Sequence, residues 1–120
     1  MRNVLLFTML SAISGSAAAL TGNQLYEFLK QPSRDIAMAY IEGVIDSAVV
    51  IPTESASTTS AASWAKLSIR KYTFCTPRSI TRKQLADVVQ KWLEVRPEVR
   101  NNLAHELIGA ALENSYPCYR

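Results

Sequence analysis

Two cysteines, a single histidine and a pair of carboxylates one helical turn apart are the residues of this 120-residue chain whose types and spacing invite chemistry. A Cys beside a His can act as a nucleophile, and thiolates and imidazoles at close spacing can hold a metal. Neither arrangement is spelled here. Cys75 lies in Cys75-Thr76-Pro77 and Cys118 in Tyr116-Pro117-Cys118, and His105 sits between Ala104 and Glu106 in a helical stretch. A lone helical His is ordinarily a surface or packing residue. Glu42 and Asp46 are like charges one turn apart, a mildly unfavourable pair on a helix. They could serve as a functional carboxylate pair. With no His or Cys at ligand spacing, the preferred reading is a solvated stripe, answered by a basic residue from another segment. The chain has no Gly-rich phosphate loop, no HExxH and no GxSxG. The expectation is therefore no enzyme, no cofactor and no metal, but a binding module.

The elements that must position these residues begin after a leader. Met1-Arg2-Asn3 is a short basic start, and Val4–Ile13 is an apolar run too short to span a bilayer. Ala17-Ala18-Ala19 offers a small-residue cleavage site, which places residues 1–19 in a signal peptide cut after Ala19 and leaves 20–120 as one exported domain with no stable membrane insertion. Two cysteines in a small exported domain point to one disulfide, Cys75 to Cys118. The chain holds 13 basic and 10 acidic residues, a net charge of +3, too mild a balance to imply nucleic acid.

Helical signals dominate the rest. Thr21-Gly22-Asn23-Gln24 is a capping box with Leu20 and Leu25 placed as a hydrophobic staple, and Pro32 stops the helix it opens near Gln31. Ser33 is placed to cap a second helix, about Arg34 to Val50. There Ile36, Ala37, Met38, Tyr40, Ile41, Val44, Ile45, Ala48 and Val49 cover most of the circumference, so the helix reads as buried on most sides. Gly43 is unfavourable in a helix interior by about 1 kcal/mol, which predicts close approach of another helix at the Ala39/Gly43 edge. Thr81-Arg82-Lys83-Gln84 is a second capping box, leading into Leu85, Val88, Val89, Trp92 and Leu93 at helical spacing. Pro97 suits the first turn of a last helix whose buried stripe is Val99, Leu103, Leu107, Ile108, Ala111 and Leu112, and which ends at Asn114-Ser115. Trp64–Phe74 is read either as a short strand or as an irregular segment. The sum is an all-α domain: a compact bundle of four main helices with one disulfide.

Binding residues are sought where the helical pattern lapses. Glu54–Ser63 is polar and patternless, so Glu54, Ser55, Ser57, Thr58, Thr59 and Ser60 read as an exposed contact loop or a passive connector. Between Glu54 and Asp87 there is no acid, while Lys66, Arg70, Lys71, Arg78, Arg82 and Lys83 are basic. Lys66, Arg70 and Lys71 are the candidate steering rim for an acidic partner.

The chain resembles the Rap/Tai family of immunity proteins associated with type VI secretion. The resemblance rests on Leu25-Tyr26, Tyr40-Ile41-x-Gly43-Val44-x-Asp46, Cys75-x-Pro77, Thr81-x-x-Gln84-Leu85-x-x-Val88-Val89, Trp92-Leu93, Pro97-Glu98-x-Arg100, Ala104, Ala111-Leu112 and Pro117-Cys118, in that order. It implies a periplasmic, all-α protein, often a homodimer. Such a protein binds a peptidoglycan amidase similar to papain-like peptidases and blocks its substrate groove without doing chemistry itself. The alternative is a non-catalytic envelope structural or assembly factor with the same fold, since fold does not fix function.

Overall fold

The computed structural model of the protein describes residues 19–51 and 64–118. Of the expected leader, residues 1–19, only Ala19 is among them, and the expected contact loop, Glu54–Ser63, lies outside them. Four α-helices are present, α1 (Gly22–Lys30), α2 (Asp35–Asp46), α3 (Arg82–Glu94) and α4 (Ala104–Ser115). They are joined by a three-stranded antiparallel sheet, β1 (Val49–Val50), β2 (Trp64–Ile69) and β3 (Tyr72–Pro77), in the order β1-β2-β3. The all-α expectation is therefore wrong, and the domain is mixed α and β. The apolar run from Ile36 to Ile51 satisfies either period, and its last part goes to the sheet. The helix stops at Asp46, where Ser47 turns back on it: the Ser47 amide donates to Gly43 O at 3.2 Å and its hydroxyl to Val44 O at 2.6 Å. The β-branched pair Val49–Val50 then aligns with Ser68 and Leu67.

Both capping boxes form. Thr21 and Thr81 accept from the amides of Gln24 and Gln84, at 3.3 and 3.1 Å, and each Gln side chain accepts the Thr amide at 2.9 Å. Ser33 does not cap α2. The N-cap is Arg34, without a side-chain cap bond, and the Ser33 hydroxyl donates to Asp35 at 2.9 Å. Pro97 also does not open α4. Pro97–Val99 is a 3-10 turn, and the chain from Arg100 to Leu103 crosses the start of α1. That crossing satisfies the helix ends reciprocally. The Gly22 and Asn23 amides donate to Asn102 O and Arg100 O, at 2.8 and 2.7 Å, and the Ala104 amide donates to Leu20 O at 2.8 Å. Gly22 is needed there, because a Cβ would stand 2.8 Å from Arg100 O and collide with Leu107.

The core is shared by helices and sheet. Leu25 and Leu29 of α1, Ile41 of α2, Val89 and Leu93 of α3, and Ile108 and Leu112 of α4 meet Phe74 and Ile69 of the strands, all buried. α4 packs against β3, and Gly109 permits a close approach there, since a Cβ would lie 2.6 Å from the Tyr72 ring. α2 is peripheral rather than central: only Ala37 and Ile41 are buried, and Ile36 is 60% exposed. Its Ala39/Gly43 edge does not meet another described helix, for a Cβ on Gly43 would find nothing within 4 Å. Ion pairs fasten α2 to α3 instead. Arg34 Nη1 donates to Asp87 Oδ1 at 2.6 Å and to Gln90 Oε1 at 3.3 Å, and Arg82 Nε meets Glu42 Oε1 at 2.5 Å.

Candidate functional site

The chemistry-bearing residues are dispersed into structural roles. Cys75 and Cys118 are joined, with their Cα atoms 5.0 Å apart. Cys75 stands within β3 rather than in a loop, so the bond ties the residues after α4 to the sheet. Glu42 has the basic partner that its bland reading asked for, Arg82. Asp46 is exposed at the end of α2. His105 is half-buried in the first turn of α4, with Nε2 enclosed and no hydrogen-bond partner among the described residues. No group of three or more His, Cys, Asp or Glu residues suited to a metal occurs among the described residues.

The sheet carries the part of the candidate rim that the structure describes. Lys66 lies in β2, half-buried. Cross-strand partners share a face of a sheet, and the face alternates along each strand. Phe74, Thr76 and Ile69 are buried, so their face looks into the core. Lys66 belongs to the other face, with Ser68, Thr73, Cys75, Val49 and Trp64, which is 54% exposed. Arg70 and Lys71 form the two-residue turn between β2 and β3, both exposed. Arg70 has φ 53°, a left-handed conformation that costs a side-chain-bearing residue about 1 kcal/mol or more. Its guanidinium approaches Glu106 only at 3.9 Å, and the Lys71 ammonium lies 5.3 Å from the Tyr72 ring centre. The turn therefore presents two cations to solvent. Glu54, Ser55, Ser57, Thr58, Thr59 and Ser60 fall outside the described residues.

Sequence reasoning missed two features. One is a groove between the C-terminal ends of α3 and α4, lined by Val88, Lys91, Trp92, Val95, Arg96, Asn114 and Ser115, in which the Arg96 guanidinium stacks 4.6 Å from the Trp92 ring. The spacing of Trp92 and Arg96 was its available signal. The other is Arg100, whose Nε and Nη2 donate to Leu93 O at 2.8 Å and Glu94 O at 2.9 Å while its guanidinium covers the Tyr26 ring at 3.9 Å. It closes the carbonyl end of α3 and holds α1 against it.

Against this geometry, comparison with known sequences gives the class. A sequence profile of the Rap1a immunity proteins matches residues 21–118, which is nearly all of the described domain. The chain belongs to that family. No significant match was found among curated proteins or solved structures. The family describes proteins that protect against a secreted effector, so a cognate effector protein is the partner class and non-catalytic inhibition is the role that fits. Proteins of this family are usually exported to the periplasm, and no described helix is long and apolar enough to cross a membrane.

Proposed function

We propose that this chain is a periplasmic immunity protein that binds a peptidoglycan amidase delivered by type VI secretion and occludes its substrate groove. The family match over residues 21–118 is the observation that carries this reading. In this reading the leader is cut after Ala19 and the mature domain works as a homodimer. Glu54, Ser55, Ser57, Thr58, Thr59 and Ser60 enter the groove, and Lys66, Arg70 and Lys71 steer the encounter. Stiffness supports the assignment. A scaffold with capped helices, a disulfide and reciprocal helix-end hydrogen bonds loses little conformational freedom on binding. The solvent-exposed cations of the β2–β3 turn would speed association with an acidic surface and make it salt-dependent.

The test is co-purification of this chain with the product of the adjacent gene, followed by hydrolysis of purified cell wall by that product. Addition of this chain at equal concentration is expected to abolish hydrolysis. A complex that forms and leaves hydrolysis untouched would favour the envelope assembly role instead. Replacing Ser57 to Ser60 with bulky residues is expected to weaken inhibition while the domain stays folded.

A further inference from the structure

The two edges of the sheet are treated differently. At β3 the edge is closed by the residues at and after the end of α4. The Thr73 amide donates to Glu113 Oε2 at 2.8 Å, the Cys75 amide donates to Tyr116 O at 2.8 Å, and the disulfide holds the same stretch in place. At β1 no described residue plays this part. The register makes the consequence specific. The Ile51 amide donates to Lys66 O at 2.9 Å, and Val49 and Val50 align with Ser68 and Leu67. Residues of an antiparallel pair alternate between facing their partner and facing away. Ile51 and Val49 therefore turn their backbone groups to β2, and Val50 turns its N–H and C=O outward. The Val49 and Val50 side chains are 66% and 62% exposed.

The sheet and its turn carry charge of one sign, while Glu106 of α4 approaches Arg70 at 3.9 Å and Asp46 is exposed at the end of α2. The described residues from Val49 to Ile80 include no acid, and they carry Lys66, Arg70, Lys71 and Arg78. Val49 pairs with Ser68, two residues from the Arg70–Lys71 turn, so the edge that no described residue covers and the two exposed cations adjoin. Arg70 holds its place in the turn despite a backbone conformation that suits Gly or Asn better.

We propose that the β1 edge, with Lys66, Arg70 and Lys71 beside it, is a docking surface for an extended acidic segment of the effector, which adds as a strand next to Val50. The inference rests on the immunity reading and adds the mode of recognition. Backbone hydrogen bonding at Val50 sets the register, and the cations select carboxylates. The shortness of β1 limits the added strand to a brief pairing, which keeps the edge from templating aggregation.

The experiment uses the full exported chain and the amidase encoded beside it. Val50→Pro removes the outward donor and leaves every bond to β2 in place, and Lys71→Glu reverses an exposed charge. Each is expected to weaken binding by about three- to tenfold while the melting temperature is kept. Amide exchange by NMR gives the direct readout. The Val50 amide should exchange quickly in the free chain and about a hundredfold more slowly in the complex, whereas the Ile51 amide is protected in both. If the amidase binds the wild type and both variants equally and Val50 stays unprotected, the docking surface is overturned and the immunity reading stands. If the amidase does not bind the wild type, the immunity reading fails and this inference falls with it. A Val50 amide already slow in the free chain, and faster on dilution, would mean that a second copy occupies the edge and would also overturn it.

Discussion

Removing the Arg100 guanidinium is expected to be strongly destabilising although the residue lies outside the apolar core. Arg100→Ala abolishes two charge-assisted hydrogen bonds, to Leu93 O at 2.8 Å and Glu94 O at 2.9 Å. In this half-buried setting each contributes about 1 kcal/mol. The cation over the Tyr26 ring, at 3.9 Å, contributes about 0.5 to 1 kcal/mol more. A positive charge at the carbonyl end of α3 adds about 0.5 kcal/mol. The total is about 3 kcal/mol, which for a domain of this size lowers the melting temperature by about 12–20 °C. Arg100→Lys keeps the charge but lacks the fork that reaches two carbonyls and the flat face that stacks, so it should recover only about 1 kcal/mol. Urea unfolding followed by circular dichroism measures both variants. A loss below about 1 kcal/mol for Arg100→Ala, or a Lys variant as stable as the wild type, refutes the reasoning.

Reduction of the disulfide, or Cys75→Ser with Cys118→Ser, should cost about 4 kcal/mol from the chain entropy of a 43-residue separation, seen as a lower urea midpoint with a steeper dependence on denaturant. Gly43→Ala fills open space in a helix and should stabilise by about 1 kcal/mol. Gly109→Ala should destabilise by about 1 to 3 kcal/mol, because its methyl group meets the Tyr72 ring; thermal melts separate the two signs. Burial pushes the phenols of Tyr40 and Tyr116 above their ordinary value. The unfolded chain then ionises first, so their contribution is intact below about pH 10 and is lost as pH rises from there through the folded values. Melts across that window should show the decline, and Tyr40→Phe with Tyr116→Phe should flatten it.

Local chemistry was legible in the chain itself. A Thr with a Gln three residues on forms a capping box through bonds among four consecutive residues, so the starts of α1 and α3 follow from Thr21-Gln24 and Thr81-Gln84 alone. Two cysteines allow one intramolecular pairing, and helical spacing picked out Leu85, Val89, Leu93, Leu107, Ile108 and Leu112, all buried. What the chain could not decide by itself depends on partners distant in sequence. Val49–Val50 is a strand because Leu67 and Ser68 lie beside it; the same apolar pattern would have extended α2. Small residues proved equally ambiguous. Gly43 faces open space, whereas Gly22 and Gly109 are pressed against Arg100 and Tyr72, and no local signal separates the two cases. Hydrogen bonds and side-chain periodicity within a turn are local, so sequence specifies them. Strand pairing, close approach and the open or closed state of a sheet edge are contacts between segments, and only the packed chain sets them.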